Sequence, residues 1–243
     1  MSTVSKNIFW STLTSLLQLY TGSIVFIVLA KIMSVENFGI LSFGFSLSAL
    51  AVIVADFGFS LMIMKDYPQL DKNKHSYLFN SILAKVFLAV LTAAFFYLYL
   101  VVFYEGDWLV FGGIYVLFSL IASFIIYLQS LLRIQNKFNK YTYSNTIYAI
   151  VVTLSVIIYW QFDLSLFQLV LCFLISKLIQ LIWTAYFCRS SFLKFSIDFK
   201  LIIEVLKSSW SFGLFSILGI FYFMIDTQII SLYLGARDVA LYQ

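Results

Sequence analysis

Residues 77–104 read YLFNSILAKVFLAVLTAAFFYLYLVVFY, with Lys85 as the one charged side chain and neither Pro nor Gly. A helix needs about 20 apolar residues to cross about 30 Å of hydrocarbon. This run exceeds that length, so it reads as a membrane-spanning helix. Working outward, six further stretches share the pattern. Seven spans are predicted, at residues 8–32, 38–64, 77–104, 108–132, 141–160, 164–187 and 208–234. The first is too long for a signal peptide and is followed by no small-residue cleavage site.

Composition agrees. The chain is 63% hydrophobic, 20% aromatic and 11% charged, with a mean hydropathy of +1.00. A soluble domain is about 45–50% apolar and about 25% charged. Too few charges remain to cover a water-facing surface, which excludes a soluble globular enzyme. Alternating strands of about 10 residues, the mark of an outer-membrane barrel, are absent. The expected fold class is all-α integral membrane.

Basic residues set the orientation. Lys6, Lys65, Lys72, Lys74, Arg133, Lys137, Lys140, Arg189, Lys194, Lys200 and Lys207 fall on one side, and only Lys31 and Arg237 on the other. Positive loops face the cytoplasm, so a cytoplasmic N-terminus is expected. The net charge of +4 is this cytoplasmic excess and calls for no nucleic acid. Residues 188–207 read as an amphipathic cytoplasmic connector, with Phe192, Phe195, Phe199, Ile203 and Leu206 at helical spacing.

The first and seventh spans repeat at a shift of about 200 residues. Trp10 matches Trp210, and Thr12, Ser15 and Gln18 match Gly213, Ser216 and Gly219. Parallel repeats of this kind build transporters. The reading therefore divides the chain into a six-helix lobe at 1–187, the connector at 188–207 and the start of a second lobe at 208–243. It takes the chain to be a fragment that lacks most of that second lobe.

Catalytic signals are missing. His75 sits in a polar loop, and Cys172 and Cys188 have neither disulfide nor zinc spacing. No phosphate loop, HExxH or GxSxG occurs. No cofactor or metal is expected, and the chain does not read as an enzyme. The informative residues are ionisable groups inside spans, which are costly in lipid: Asp56, Lys85, Lys177 and Asp226. Asp56 and Lys85 lie at matching depths, roughly 12 Å from the cytoplasmic side at 1.5 Å per residue. An ion pair between them is predicted, serving either structure or a lumen. Lys177 has no acid at its depth in the neighbouring span, which points to an anion-accepting cavity or to snorkelling of its stem. Asp226 would carry ion coupling or pair with the second lobe. Polar stripes run along the first span (Ser11, Thr14, Ser15, Gln18, Thr21, Gly22), the fourth (Ser119, Ser123, Gln129, Ser130, Arg133) and the seventh (Ser209, Gly213, Ser216, Gly219). They serve either a lumen or tight helix packing.

The chain resembles the Wzx-like polysaccharide flippases of the multidrug/oligosaccharidyl-lipid/polysaccharide exporter superfamily. The resemblance rests on Asn7-Ile-Phe-Trp10, on Leu29-Ala30-Lys31-Ile32-Met33-Ser34 with Phe38-Gly39, on Ala55-Asp56-Phe57-Gly58-Phe59, and on Asp226 followed by Leu234-Gly235. It implies a MATE-like transporter of two six-helix lobes around a lumen that opens alternately to either side. It implies an undecaprenyl-diphosphate-linked oligosaccharide of O-antigen, capsule or exopolysaccharide synthesis, moved to the outer leaflet of a bacterial inner membrane. Membrane lipids surround it, a polysaccharide polymerase and chain-length proteins are the partner candidates, and H+ or Na+ the candidate coupling ion. Lys85 and Lys177 would match the cationic lumen, with Asp56, Asp226, Gln18 and Arg133 as further lumen candidates. Tyr20, Tyr97, Tyr127 and Tyr148 would stack on sugars. The competing readings are a drug or ion antiporter, which calls for lumen acids, a membrane glycosyltransferase or polymerase, which calls for large outer loops, and an inactive remnant.

Overall fold

The computed structural model describes residues 3–70, 74–192 and 196–242. It is helical, with no strand among the described residues, and seven of its helical stretches are long and apolar enough to cross a membrane. The chain is a multi-pass membrane protein. The first span is α1 (Thr3–Leu19), one π-helical turn (Tyr20–Ile24) and α2 (Val25–Ile32). The second is α3 (Val35–Asp56) and α4 (Phe59–Asp66); α5 (Lys74–Phe103), α6 (Asp107–Ile134), α7 (Phe138–Phe162) and α8 (Leu166–Cys188) follow. The seventh span is α9 (Phe199–Tyr233), and a short α10 (Ala236–Tyr242) comes after it.

Local chemistry sets these boundaries. Ser34 accepts from the Asn37 amide to start α3, and Ser165 with Gln168 forms a reciprocal capping box at the start of α8. Asp163, in the left-handed region at φ 46°, ends α7. The tight links between α5, α6, α7 and α8 make successive helices antiparallel. α6 is central, packing on α3 and α8; α7 bridges α8 and α1, and α9 lies against α3, α4 and α5.

The bundle has apolar side chains outside as well as inside. Phe87, Val90, Phe95, Leu98 and Val102 are exposed along one face of α5, while Ala89, Thr92, Phe96 and Leu100 are buried on the other. An exposed apolar face of this length is excluded in water and natural in lipid. Between helices, hydroxyls pair directly. Ser119 donates to Ser48 at 3.0 Å, and the Ser144–Thr184, Thr14–Thr142 and Tyr20–Thr153 hydroxyl pairs lie 2.6–2.8 Å apart. Such contacts average about 0.6 kcal/mol in membranes, so the bundle relies on many of them together with close packing.

Two expectations are corrected. The second span is not continuous: α3 stops at Asp56, and both Phe57 (φ 42°) and Gly58 (φ 74°) are left-handed before α4 begins. The amphipathic helix expected over 188–207 is also not one element. Arg189–Ser191 forms a 3-10 turn, residues 196–198 have no helical structure, and α9 begins at Phe199. The reason is local bonding. Asn80 donates to the Ser196 carbonyl and accepts from the Asp198 amide, and the Asp198 carboxylate caps α9 by accepting from the Lys200 and Leu201 amides. Lys72, Lys194 and Phe195 lie outside the described residues.

The break in the second span is also where α9 docks. A Cβ on Gly58 would lie 2.5 Å from Phe212 Cβ and 2.6 Å from the Gly213 nitrogen, and one on Gly213 would lie 2.8 Å from the Phe57 ring. Gly58 thus meets both a left-handed φ and a close approach. Gly58→Ala should lower stability by more than about 2 kcal/mol through strain and overpacking, read as a fall in thermal unfolding temperature in detergent. Gly113→Ala, with nothing within 4 Å of its new Cβ, should be neutral or stabilise by up to about 1 kcal/mol. Equal effects of the two substitutions would contradict the interlocked packing.

Candidate functional site

A cavity of about 630 Å³ opens among α1, α2, α3, α6, α7 and α8. Lys177, the twelfth of the 23 residues of α8, stands on its wall. At 1.5 Å per residue that is roughly 17 Å from either end of the helix, at the middle of the span. The π-helical turn brings Thr21 and Gly22 to the same cavity beside Gln18. A single π turn shifts the register of the face that follows and is frequent at functional sites.

Among the described residues, Lys177 is the only Lys, Arg, Asp, Glu or His on this wall. Its Nζ donates to Gln180 Oε1 at 3.0 Å and lies 3.6 Å from the Tyr148 ring centroid. Among the described residues no carboxylate pairs with it; the ion pair present there is that of Lys85 and Asp56. Four carboxamides, Gln18, Gln129, Asn145 and Gln180, share the wall. Gln180 Nε2 approaches Asn145 Oδ1 at 3.5 Å, and Gln129 Nε2 donates to Ser144 at 3.4 Å. The Ser42 hydroxyl, buried on the same wall, has no hydrogen-bond partner. The site offers one cation, several amide donors and acceptors, and the flat faces of Phe45, Phe118 and Tyr148. That set suits an anionic group carried on a polar, hydroxyl-bearing body.

Of the six lumen candidates Lys85, Lys177, Asp56, Asp226, Gln18 and Arg133, the structure brings Lys177 and Gln18 to the cavity and sets the other four elsewhere. Arg133 lies one turn beyond Gln129 on α6, donating to Ser130 at 3.0 Å and lying 5.6 Å from the Tyr141 ring. Gln18 reaches the same Tyr141 through its hydroxyl at 3.3 Å, so Arg133 flanks the cavity without lining it. Asp226 accepts from the Tyr242 hydroxyl, which ties α9 to α10. Asp56 and Lys85 form the expected pair at 2.8 Å, away from the cavity wall. Lys85 is fully buried and surrounded by Phe59, Phe124 and Tyr127.

The four tyrosines separate in the same way. Tyr148 lines the cavity, whereas Tyr20 bonds Thr153, Tyr127 bonds Ser81, and Tyr97 is exposed. Sequence reasoning passed over Asn145 and Gln180. Their signal was available: Gln180 is one turn from Lys177, and Asn145 one turn from Tyr148. The stripe of the first span divides, with Thr14 packing against Thr142 while Gln18, Thr21 and Gly22 face the cavity. Among the described residues no group of three or more His, Cys, Asp or Glu could hold a metal ion.

The model of one protein family, described as polysaccharide biosynthesis protein, matches residues 4–243. No curated protein and no solved structure matches the chain.

The Asp56–Lys85 pair carries a direct expectation. Removing one partner of a buried pair strands the other and costs about 3–5 kcal/mol. Asp56→Asn and Lys85→Ala should each destabilise, and the double variant should lose less than the sum, with a coupling of about 1 kcal/mol or more. Thermal unfolding of the four proteins with choline chloride as the salt measures it. Additive losses would remove the pair as an energetic unit.

Proposed function

Because the chain belongs to the polysaccharide biosynthesis protein family, that of the Wzx-like flippases, we propose that it moves a lipid-linked oligosaccharide from one leaflet to the other. Lys177 carries this reading: a mid-span cation on a cavity wall without a carboxylate partner. A charge buried in lipid without a partner is costly, and an anionic substrate group supplies the partner. The phosphate oxygens accept from Lys177 Nζ. The carboxamides of Gln18, Gln129, Asn145 and Gln180 exchange hydrogen bonds with sugar hydroxyls, and Tyr148 and Phe118 offer stacking faces. A volume of about 630 Å³ takes a headgroup with its first sugars rather than a long glycan, and the polyprenyl tail stays in the surrounding lipid.

Transport follows by alternating access, with α9 and α10 moving against the six-helix bundle around the substrate. The lysine-rich loops support a cytoplasmic N-terminus in a bacterial inner membrane. Undecaprenyl-diphosphate carriers of surface polysaccharide are the matching substrate class, handed on to a polymerase and chain-length proteins. H+ or Na+ is the coupling ion in this reading. A drug-cation antiporter fits less well, because the cavity wall carries a lysine and no carboxylate.

One charge-assisted hydrogen bond is worth about 1.5–3 kcal/mol, or roughly ten- to a hundredfold in affinity. Lys177→Ala should reduce surface polysaccharide by about that factor while membrane insertion stays unchanged, and Lys177→Arg should keep part of the activity. Complementation of a flippase-deficient strain, with lipid-linked intermediates quantified in each leaflet, provides the measurement. Wild-type display by Lys177→Ala would defeat the reading.

A further inference from the structure

A helix broken inside a membrane leaves carbonyls that lipid cannot satisfy. At the break in the second span the Phe57 amide still donates to Ile53 and the Met62 amide to Gly58. Between those two bonds the Ala55 carbonyl accepts from Lys85 Nζ at 3.3 Å. The same Nζ donates to Asp56 Oδ1 at 2.8 Å. That carboxylate also accepts from the Ser60 hydroxyl at 2.7 Å and from the Ser60 amide at 3.3 Å. The ring centroids of Phe59, Phe124 and Tyr127 lie 5.6, 5.6 and 5.9 Å from Nζ. The ammonium therefore sits in a shell of one carboxylate, one main-chain carbonyl freed by a broken helix, and three aromatic faces. Carbonyls of unwound helices hold Na+ in secondary transporters, and aromatic faces attract cations.

We propose that the break in the second span is a monovalent-cation site that the chain fills with its own ammonium, Lys85 standing where Na+ would be held by Asp56 Oδ1 and the Ala55 carbonyl. Three observations favour a single positive charge there. One carboxylate balances one charge, the carbonyl adds a neutral ligand, and the amino group arrives from a different helix, α5, on a fully buried side chain. With Lys85 in place the site is closed to ions from solution, and the docking of α9 on the break is independent of salt identity. Shortening Lys85 to alanine vacates the ammonium position and leaves the oxygen ligands and ring faces behind. The Ser60 hydroxyl, already on the carboxylate, is then free to turn a lone pair towards the ion. The proposal is independent of the cavity and of Lys177.

The test uses the full chain in detergent, unfolded thermally in NaCl and in choline chloride at equal ionic strength. Trp210, whose ring lies 5.4 Å from that of Phe57, places a fluorescent reporter at the break. Wild type should melt at the same temperature in both salts. Lys85→Ala should gain saturably with Na+, by about 5 °C or more, and Asp56→Asn/Lys85→Ala should not respond. Equal melting of Lys85→Ala in the two salts would overturn the proposal. So would a Na+ shift that survives in the double variant, or one of the same size in wild type, since either sets the ion elsewhere. Should Lys85→Ala be recovered unfolded from choline, NaCl must restore its folded yield, and failure in both salts counts against the site.

Discussion

Hydrocarbon offers no partner to a backbone amide or carbonyl, and that constraint shapes the second span more than any other element. A continuous helix would satisfy it automatically. This chain instead interrupts the helix with two left-handed residues, one of them the bulky Phe57, a conformation that costs about 1–3 kcal/mol. The interruption is made tolerable by the side chains around it. Lys85 bonds the Ala55 carbonyl, Asp56 bonds the Ser60 amide at the start of α4, and the two charges neutralise one another. What the break provides is shape. Gly58 and Phe57 present a surface that Phe212 and Gly213 of α9 can enter closely, which an uninterrupted helix bearing a Cβ at each position would not allow.

The two intramembrane lysines meet the cost of burial in opposite ways. Lys85 is surrounded, with carboxylate, carbonyl and three rings leaving no place for a further ligand. Lys177 has a neutral amide oxygen and one close aromatic face, and it stands on the wall of a cavity lined by carboxamides, hydroxyls and apolar side chains. A neutral hydrogen bond and a cation–π contact recover part of the lost hydration, on the order of 1–2 kcal/mol each, against several kcal/mol for an ion in low dielectric. The remainder must come from water or from an anion. The same residue type is thus enclosed by its partners at one position and left facing a cavity at the other, and the partners decide which.

This contrast also explains what the sequence could and could not reveal. The spans were legible because a long run such as residues 86–104 has no soluble alternative. The Asp56–Lys85 pair was legible from depth alone, since both residues lie a similar number of turns from one end. The division of the polar stripes was not. Hydroxyl and small residues serve both packing and solvation, so Thr14 and Thr21 look alike in sequence, yet one bonds α7 and the other faces the cavity. Nor could hydropathy reveal the break, because Ala55-Asp56-Phe57-Gly58-Phe59 stays apolar enough for a span. Only the positive φ at a phenylalanine, held by contacts distant in sequence, makes it visible. The start of α9 was misjudged for a similar reason: Asn80, far upstream, fixes the backbone at 196–198.

The repeat acquires physical content from these contacts. The first span ends at Ile32 and α3 begins at Val35; α9 ends at Tyr233 and α10 begins at Ala236, each 201 residues on. α3 is capped by Ser34, whereas α10 follows Gly235 in the left-handed region. The paired helices then meet one another. Gly39 of α3 admits the Ala236 carbonyl so closely that a Cβ would collide with it, while Gly58, at the break in the same span, admits Gly213. The second span is therefore held near its start by α10 and at its break by α9. Any displacement of α9 and α10 along this span would have to open one of these glycine contacts.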